Sequence, residues 1–269
     1  MNKATGLRTY AVIYLVFLYA PIILLPMFAF NNSKVIAFPL SGFTVEWFGQ
    51  MWDDAQLFRS LQNSMIVSVT TAILATALGV FAARATTRYR FPAKAGIMGL
   101  IMLPLVLPEM IVAMSLLVVL LAIGVPLSIF TIILGHVLIT TPFAVAILSS
   151  AFQSLDRSLE EASYDLGETA LSTFRLIVLP LVMPGIISSL LICFTISLDE
   201  FIIAYFLGGS ETPLSAYIYG QFRFPARVPA MLALGTILVA VSIILLAIAE
   251  YFRRRGIAKT GGKDSGGFL

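Results

Sequence analysis

Long uncharged apolar stretches, separated by short polar segments, dominate the pattern of this 269-residue chain. A helix rises about 1.5 Å per residue, so roughly 20 apolar residues cross the hydrocarbon core of a bilayer. The long stretch that follows Ala95 can hold two spans and divides at the turn signal Gly124-Val125-Pro126. The pattern predicts an all-α, polytopic membrane protein with six transmembrane helices, at about 9–30, 61–83, 95–122, 128–150, 181–206 and 229–250.

The composition agrees with this prediction, because 59% of the residues are hydrophobic and only 12% are charged. Soluble chains carry about twice that share of charge, so the composition excludes a soluble domain, a disordered chain and a nucleic-acid binder. The single Cys and single His cannot supply the four ligands of a structural zinc site, so we expect no metal site.

The basic residues predict the orientation of the chain. Thirteen of the 17 lysines and arginines lie on one side of the six predicted spans. By the positive-inside rule that side is the cytoplasm, which places both termini there. Residues 1–252 then form one transmembrane domain, and 253–269 form a basic, flexible cytoplasmic tail.

The longest predicted cytoplasmic loop, 151–180, has the signals of two short helices. Ser158 can cap the first, with Glu161 three residues later as in a capping box. Gly167 suits the left-handed residue that ends a helix, and a second helix is predicted over 169–178. An acidic surface is expected on this loop, formed by Glu160, Glu161, Asp165 and Glu168.

The same loop resembles the EAA loop of ABC-importer permeases. That motif has Glu-Ala-Ala, then Gly after three residues, Ile after nine more, and a final Leu-Pro; here Ser163 replaces the second Ala. The resemblance implies the type I ABC-importer permease fold and a loop that docks on a cytoplasmic ATPase. The residues assigned to this coupling role are Glu160, Glu161, Ala162, Ser163, Asp165, Gly167, Ile177, Leu179 and Pro180.

Three acids lie within predicted spans: Glu109, Asp199 and Glu200. Each costs about 2.5–3.5 kcal/mol on insertion scales, so a functional role is the first hypothesis. Glu109 follows Pro104 and Pro108, which predicts a broken third helix that lines a cavity. Because no Lys or Arg lies within these spans, the pattern favours a cationic solute. Two alternatives to a functional role stay open. Glu109 can be protonated and hydrogen-bonded to a neighbouring helix, and Asp199 and Glu200 can be solvated at the external end of a shorter fifth span.

A closer resemblance, over nearly the whole chain, is to the second permease subunit of spermidine/putrescine importers. It rests on Gly42-Phe43-Thr44, on Tyr89-Arg90-Phe91, on Pro108 followed by an acid, and on residues 194–200. That family usually has Asp where Glu109 and Glu200 stand. The resemblance implies a substrate path along Glu109, Asp199, Glu200, Ser197, Trp47 and Tyr19.

Some of these residues also have simpler interpretations. Trp47 and Trp52 can anchor an interfacial amphipathic helix, and Tyr19 in a first span is usually a packing residue. His136 is expected to be an interhelical hydrogen-bond partner, and Cys193 a packing residue.

These observations predict a permease subunit of an ATP-driven ABC importer in the bacterial cytoplasmic membrane, which passes a polyamine or related organic cation inward. No Walker A motif occurs, so we expect no catalytic residue and no cofactor on this chain, with ATP and Mg²⁺ on a partner ATPase dimer. The other expected partners are a second, distinct permease and an external binding protein. The alternatives are an ion-coupled secondary transporter, which two matching helix breaks would favour, and an ABC permease for a different small solute.

Overall fold

The computed structural model describes the backbone of residues 3–260 and the side chains of residues 6–244. Its α-helices are α1 (Lys3–Ala29), α2 (Glu46–Trp52), α3 (Ala55–Arg88), α4 (Lys94–Met102), α5 (Glu109–Ala122), α6 (Ile129–Gln153), α7 (Arg157–Asp165), α8 (Ala170–Thr173), α9 (Leu179–Asp199), α10 (Ile202–Leu207), α11 (Leu214–Gln221) and α12 (Val228–Thr260). They form two compact units, one from 1–55 with 220–269 and the other from 56–219.

The predicted spans correspond to long apolar helices. Within the described residues, five helical segments are long and apolar enough to cross a membrane. A sixth span arises if Lys94–Leu105 and Glu109–Ala122, which meet at an angle of 103°, cross together. The prediction of six apolar segments and of a break near Pro104–Pro108 is confirmed.

The fifth span differs from its prediction at both ends. Its helical path starts at Ala170, passes through a π-helical turn at Phe174–Val178, and ends at Asp199 instead of continuing to 206. A proline ring clashes with the carbonyl four residues earlier, and the wider π turn just before Pro180 relieves that crowding. The loop helix predicted over 169–178 is therefore continuous with the span.

The unit formed by 1–55 and 220–269 packs α1 and α2 against α12. Its core consists of Phe28, Ala29, Trp47, Leu232 and Ala233. The rest of α1 leaves most of its apolar side chains exposed. The helix α12 continues to Thr260, eight residues into the segment predicted as a tail, and 261–269 lie outside the described residues.

The unit of residues 56–219 is organised around α6. This helix packs along α9 and also contacts α10, and the main apolar cluster joins α5, α6 and α10. Gly135 allows this close packing, because a Cβ there would lie 2.5 Å from the Cγ2 of Ile203. Thr131 Oγ1 of α6 donates a hydrogen bond to the Leu207 carbonyl at 2.7 Å, so α10 is held by polar as well as apolar contacts.

Candidate functional site

The first helix break presents Glu109 at the start of α5. Pro108 precedes it as the N-cap, and residues 105–111 are exposed in the described structure. A proline cannot donate a backbone hydrogen bond, which explains why the helix stops here and restarts at Glu109. The structure therefore places this predicted acid at an open helix break, as the sequence suggested.

A second break, which the sequence pattern does not predict, lies between α9 and α10. Glu200 leaves the helix with φ −65° and ψ 121°, so the predicted arrangement of Asp199 and Glu200 on one continuous helix is wrong. Glu200 is buried, and its Oε1 accepts a hydrogen bond from the Ile203 N–H at 2.8 Å. Asp199, the last residue of α9, is exposed.

The two breaks approach each other, because α5 and α10 pack together within one apolar cluster. Glu109 is the first residue of α5, and Glu200 lies two residues before the start of α10. In the part of the chain that the structure describes, no lysine or arginine pairs with Glu109, Asp199 or Glu200. We call these three residues the break acids.

Ser197 lies one turn before the second break and faces α6. Its buried Oγ is 2.8 Å from Nδ1 of His136, which is buried as well. His136 is thus an interhelical hydrogen-bond partner, as expected. Cys193 is buried on the same helix, which confirms its expected packing role. The contact made by Ser197 holds α9 against α6 and does not expose the hydroxyl beside the break acids.

An aromatic cluster borders the second break and was missed by the sequence analysis. The ring centroid of Phe201 lies 4.5 Å from that of Tyr219 and 5.5 Å from that of Tyr205, and the two tyrosine rings are 6.0 Å apart. Ser215 Oγ of α11 donates to the Glu200 carbonyl at 2.9 Å. Ser215 and Tyr219 are four residues apart and share a helix face, so this bond brings Tyr219 to the break. The available signal was Phe201, directly after the acids, with Tyr205 four residues later.

Trp47 and Tyr19 belong to the other unit and are described within it alone. Trp47 is only 2% exposed, and its Nε1 donates to the Asn31 carbonyl at 2.7 Å. Trp47 belongs to the apolar core of this unit, while Trp52 of the same helix is exposed. Tyr19 is exposed on α1. Contact of either Trp47 or Tyr19 with a solute stays a prediction.

The predicted coupling loop begins with a different cap from the one expected. Asp156, not Ser158, is the N-cap of α7, and its carboxylate accepts from the Ser158 N–H at 3.0 Å. This hydrogen bond lowers the pKa of Asp156 below its ordinary value. Gly167 ends the turn with φ +89°, which confirms the left-handed conformation predicted for it.

Glu160 departs from the predicted acidic surface. It is buried, and its Oε1 lies 2.5 Å from the Nε of Arg88, which also donates to the Leu155 carbonyl at 3.0 Å. Glu160 therefore connects α7 to the end of α3. The other predicted members of that surface, Glu161, Asp165 and Glu168, are exposed, as is Ala162.

Ser163 also has a role that its small size did not suggest. It is buried, and its Oγ lies 2.9 Å from the Oγ1 of Thr173, so the two hydroxyls join α7 to α8. The remaining assigned residues follow in the π turn and the start of α9, where Ile177 and Leu179 are half-buried and Pro180 is exposed. The loop is thus a compact pair of helices with one exposed acidic face.

Comparison with known proteins identifies the family. The sequence profile of the "Binding-protein-dependent transport system inner membrane component" family matches residues 75–257. The putrescine transport system permease protein PotI of Escherichia coli K12 is 36% identical over 247 residues, which cover 89% of this chain and 87% of PotI. The spermidine/putrescine transport system permease protein PotC of the same strain is 30% identical over 239 residues, which cover 88% of this chain and 90% of PotC.

Solved structures agree on the fold. The crystal structure of a bacterial ABC transporter that imports the acidic polysaccharide alginate matches with a TM-score of 0.72 at 17% identity, and covers 93% of this chain and 97% of that chain. A bacterial alginate ABC transporter in complex with a pentasaccharide-bound periplasmic protein matches with a TM-score of 0.70 at 22% identity, and covers 94% of this chain and 93% of that chain.

The family match decides against the ion-coupled alternative. The chain is a multi-pass membrane protein with the type I ABC permease fold. It belongs to the family of binding-protein-dependent transport system inner membrane components, the permease subunits of ABC importers.

Proposed function

We propose that this permease passes a polyamine of the putrescine and spermidine type from an external binding protein to the cytosol. The observation that carries the proposal is the packing of α5 against α10, the helices that follow the two breaks, with three carboxylates at the breaks and no basic partner among the described residues. Buried or membrane-embedded acids are expensive unless a positive charge offsets them. A solute with several ammonium groups supplies that charge during passage.

The relatives support the choice of amine over other cations. PotI and PotC carry putrescine and spermidine in their names, and the similarity extends over most of each chain. The alginate importers share the fold at low identity, so they do not argue for an anionic solute here. The break acids themselves argue against an anion, since like charges at one site repel.

The break acids do not act alike in this proposal. Asp199 and Glu109 are exposed and can meet an ammonium group directly. Glu200 has one oxygen engaged by the Ile203 N–H, so it attracts the solute while it also holds the start of α10. Ser197 supports this arrangement through His136.

The loop of α7 and α8 would transmit the motion of a partner ATPase. Its exposed face offers Glu161, Asp165 and Glu168, while Glu160 and Ser163 hold the loop to α3 and α8. In the proposed assembly this face lies in the cytoplasm and docks on an ATPase dimer that carries ATP and Mg²⁺. A second, distinct permease completes the membrane path, and closure of the ATPases turns the path outward.

The test is solute-stimulated ATPase activity and uptake in proteoliposomes that contain both permeases, the ATPase and the binding protein. The panel includes putrescine, spermidine, a neutral sugar, an amino acid and a carboxylate anion. We expect the two amines to accelerate hydrolysis and to accumulate inside. Stimulation by the sugar or the anion, with no response to either amine, would refute the proposal. A complex whose ATPase has an inactivated P-loop is the control, and uptake that persists in it would refute an ATP-driven mechanism.

A further inference from the structure

Two polar side chains of α3 hold the start of α11, the helix that contacts the second break. Ser64 Oγ accepts a hydrogen bond from the Leu214 N–H at 2.8 Å, and Asn63 Nδ2 donates to Oε2 of Glu211 at 3.1 Å. Ser64 and Asn63 are buried, at 3% and 7% exposure. A buried hydroxyl or amide is destabilising unless it is hydrogen-bonded, so the loss of either contact has a measurable effect.

The start of α11 depends on a partner from another helix. Pro213 precedes α11, and its carbonyl accepts from the Tyr217 N–H at 2.8 Å. A proline side chain has no atom that accepts a hydrogen bond, so it cannot cap the free N–H groups of the first helical turn. Ser64 supplies an acceptor from a position 150 residues earlier in the sequence. The first N–H group of α11 therefore ties this helix to α3.

The same turn of α11 holds the backbone of Glu200. Ser215, which follows Leu214, donates from its Oγ to the Glu200 carbonyl at 2.9 Å. The carboxylate of Glu200 is oriented separately, by the Ile203 N–H at 2.8 Å. A continuous set of hydrogen bonds and adjacent residues thus leads from Ser64, through the start of α11, to one of the break acids.

Helix α3 gives these contacts a firm support. Thr76 Oγ1 lies 3.0 Å from Ser189 Oγ of α9 in a buried site. Gly79 packs closely against α6, because a Cβ there would lie 2.8 Å from the Cβ of Ala144. Helix α3 is therefore fixed both to α6 and to α9, the helix that ends at the break acid Asp199.

We propose that Ser64 and Asn63 are positioning residues for Glu200, and that they thereby help to determine which amines the permease passes. This inference rests on the proposed function, because it requires an amine solute that meets the break acids. A diamine carries two positive charges at a spacing that its methylene chain sets. Acids held in fixed positions favour the spacing that fits them, whereas an acid that moves accepts a wider range of spacings.

The experiment measures initial uptake of a series of α,ω-diamines, from diaminopropane to diaminohexane, by the complete complex in proteoliposomes. The binding protein is saturating and fully loaded with each diamine, so its affinity does not limit the rates. We expect wild-type rates to depend on chain length, and Ser64→Ala to reduce the ratio of the fastest to the slowest rate about threefold. A residue that only stabilises the fold would change the amount of active complex, and so all rates alike, without a change in this ratio.

Ser68→Ala is the matched control. Ser68 lies one turn from Ser64 on α3 and is also buried, but its Oγ donates to the Ser64 carbonyl at 2.6 Å, within the helix. We expect the control to keep the wild-type ratio. Ser215→Ala removes the contact with Glu200 at a half-buried position, and we expect it to reduce the ratio as Ser64→Ala does. It also keeps the inference testable if the Ser64→Ala complex does not assemble.

A second measurement asks whether Ser64 acts through Glu200. Glu200→Gln already removes the charge that Ser64 is proposed to position, so adding Ser64→Ala to it should change the diamine ratio by less than about twofold. A reduction as large as in the wild-type background would overturn the inference. An unchanged ratio in both Ser64→Ala and Ser215→Ala would overturn it as well.

The failure of this inference is distinguishable from the failure of the proposed function. Wild-type vesicles that accumulate no amine would refute the function and the positioning role together. Wild-type uptake of every diamine at the same rate would refute the positioning role alone.

Discussion

Glu160 in the coupling loop and Glu200 at the second break are both buried acids, 7% and 8% exposed. Their surroundings are opposite. Glu160 has the guanidinium of Arg88 at 2.5 Å, whereas Glu200 has the Ile203 N–H at 2.8 Å and no basic partner among the described residues. A buried acid with a cation is satisfied within the chain, while one without a cation can be satisfied by a ligand. The partner of a buried charge, and not its burial, separates a structural acid from a functional one.

The largest expected effect comes from Glu200→Gln. Glutamine keeps an oxygen that accepts from the Ile203 N–H, so only the charge is removed. A charge-assisted hydrogen bond contributes about 1.5–3 kcal/mol, so polyamine uptake should fall about tenfold or more. The measurement is initial uptake in proteoliposomes, with thermal unfolding of the complex as the folding control. Unchanged uptake in a stable complex would contradict the functional role of this acid.

Gly167→Val, in the coupling loop, should produce the next largest effect. No heavy atom lies within 4 Å of a Cβ built at Gly167, so its φ of +89° is the sole source of strain. A β-branched residue is strongly disfavoured in that conformation, whereas asparagine tolerates it. We expect Gly167→Val to lower uptake per ATP hydrolysed and Gly167→Asn to keep most of it. Equal coupling ratios in the two variants would show that the left-handed turn does not matter for coupling.

Glu160→Gln tests the other buried acid of the comparison, the one that is paired with Arg88. The amide still accepts from Arg88, but the charge attraction is lost, so the free energy of unfolding should fall by about 1–2 kcal/mol. Solute selectivity should not change, because Glu160 is satisfied by Arg88. Thermal unfolding and the amine panel measure the two effects. A changed preference among amines would show that Glu160 acts on the solute and is not only a structural acid.

The parts of the structure that the sequence predicted are those that depend on local patterns. Apolar length predicted the six segments, prolines predicted the break before Glu109, and a glycine predicted the turn at 167. The second break has no such signal, since neither Pro nor Gly occurs at 198–202. It is held by distant groups: Thr131 contacts the Leu207 carbonyl and Ser215 contacts that of Glu200.

The burial of Glu160 was also not predicted, because it too depends on a residue that is distant in the sequence. Its partner Arg88 lies 72 residues away in the sequence, on a different helix. From the loop alone, Glu160 and Glu161 are adjacent acids with the same chemistry. Only the ion pair between Glu160 and Arg88 of α3 separates them into one paired and one exposed residue.

The smallest effect is expected from Ser163→Ala, which brings the loop to the Ala that the EAA pattern has at this position. Here the change leaves Thr173 without the hydroxyl that lies 2.9 Å away in a buried site. An unsatisfied buried hydroxyl is destabilising, so unfolding should become easier by about 1 kcal/mol. Adding Thr173→Val removes the second hydroxyl with little change in shape, and we expect it to recover most of the loss. The double-mutant cycle, measured by thermal unfolding of the complex, isolates the pair. Additive losses in the double variant would mean that the two hydroxyls contribute independently, and that the contact between them does not hold α7 to α8.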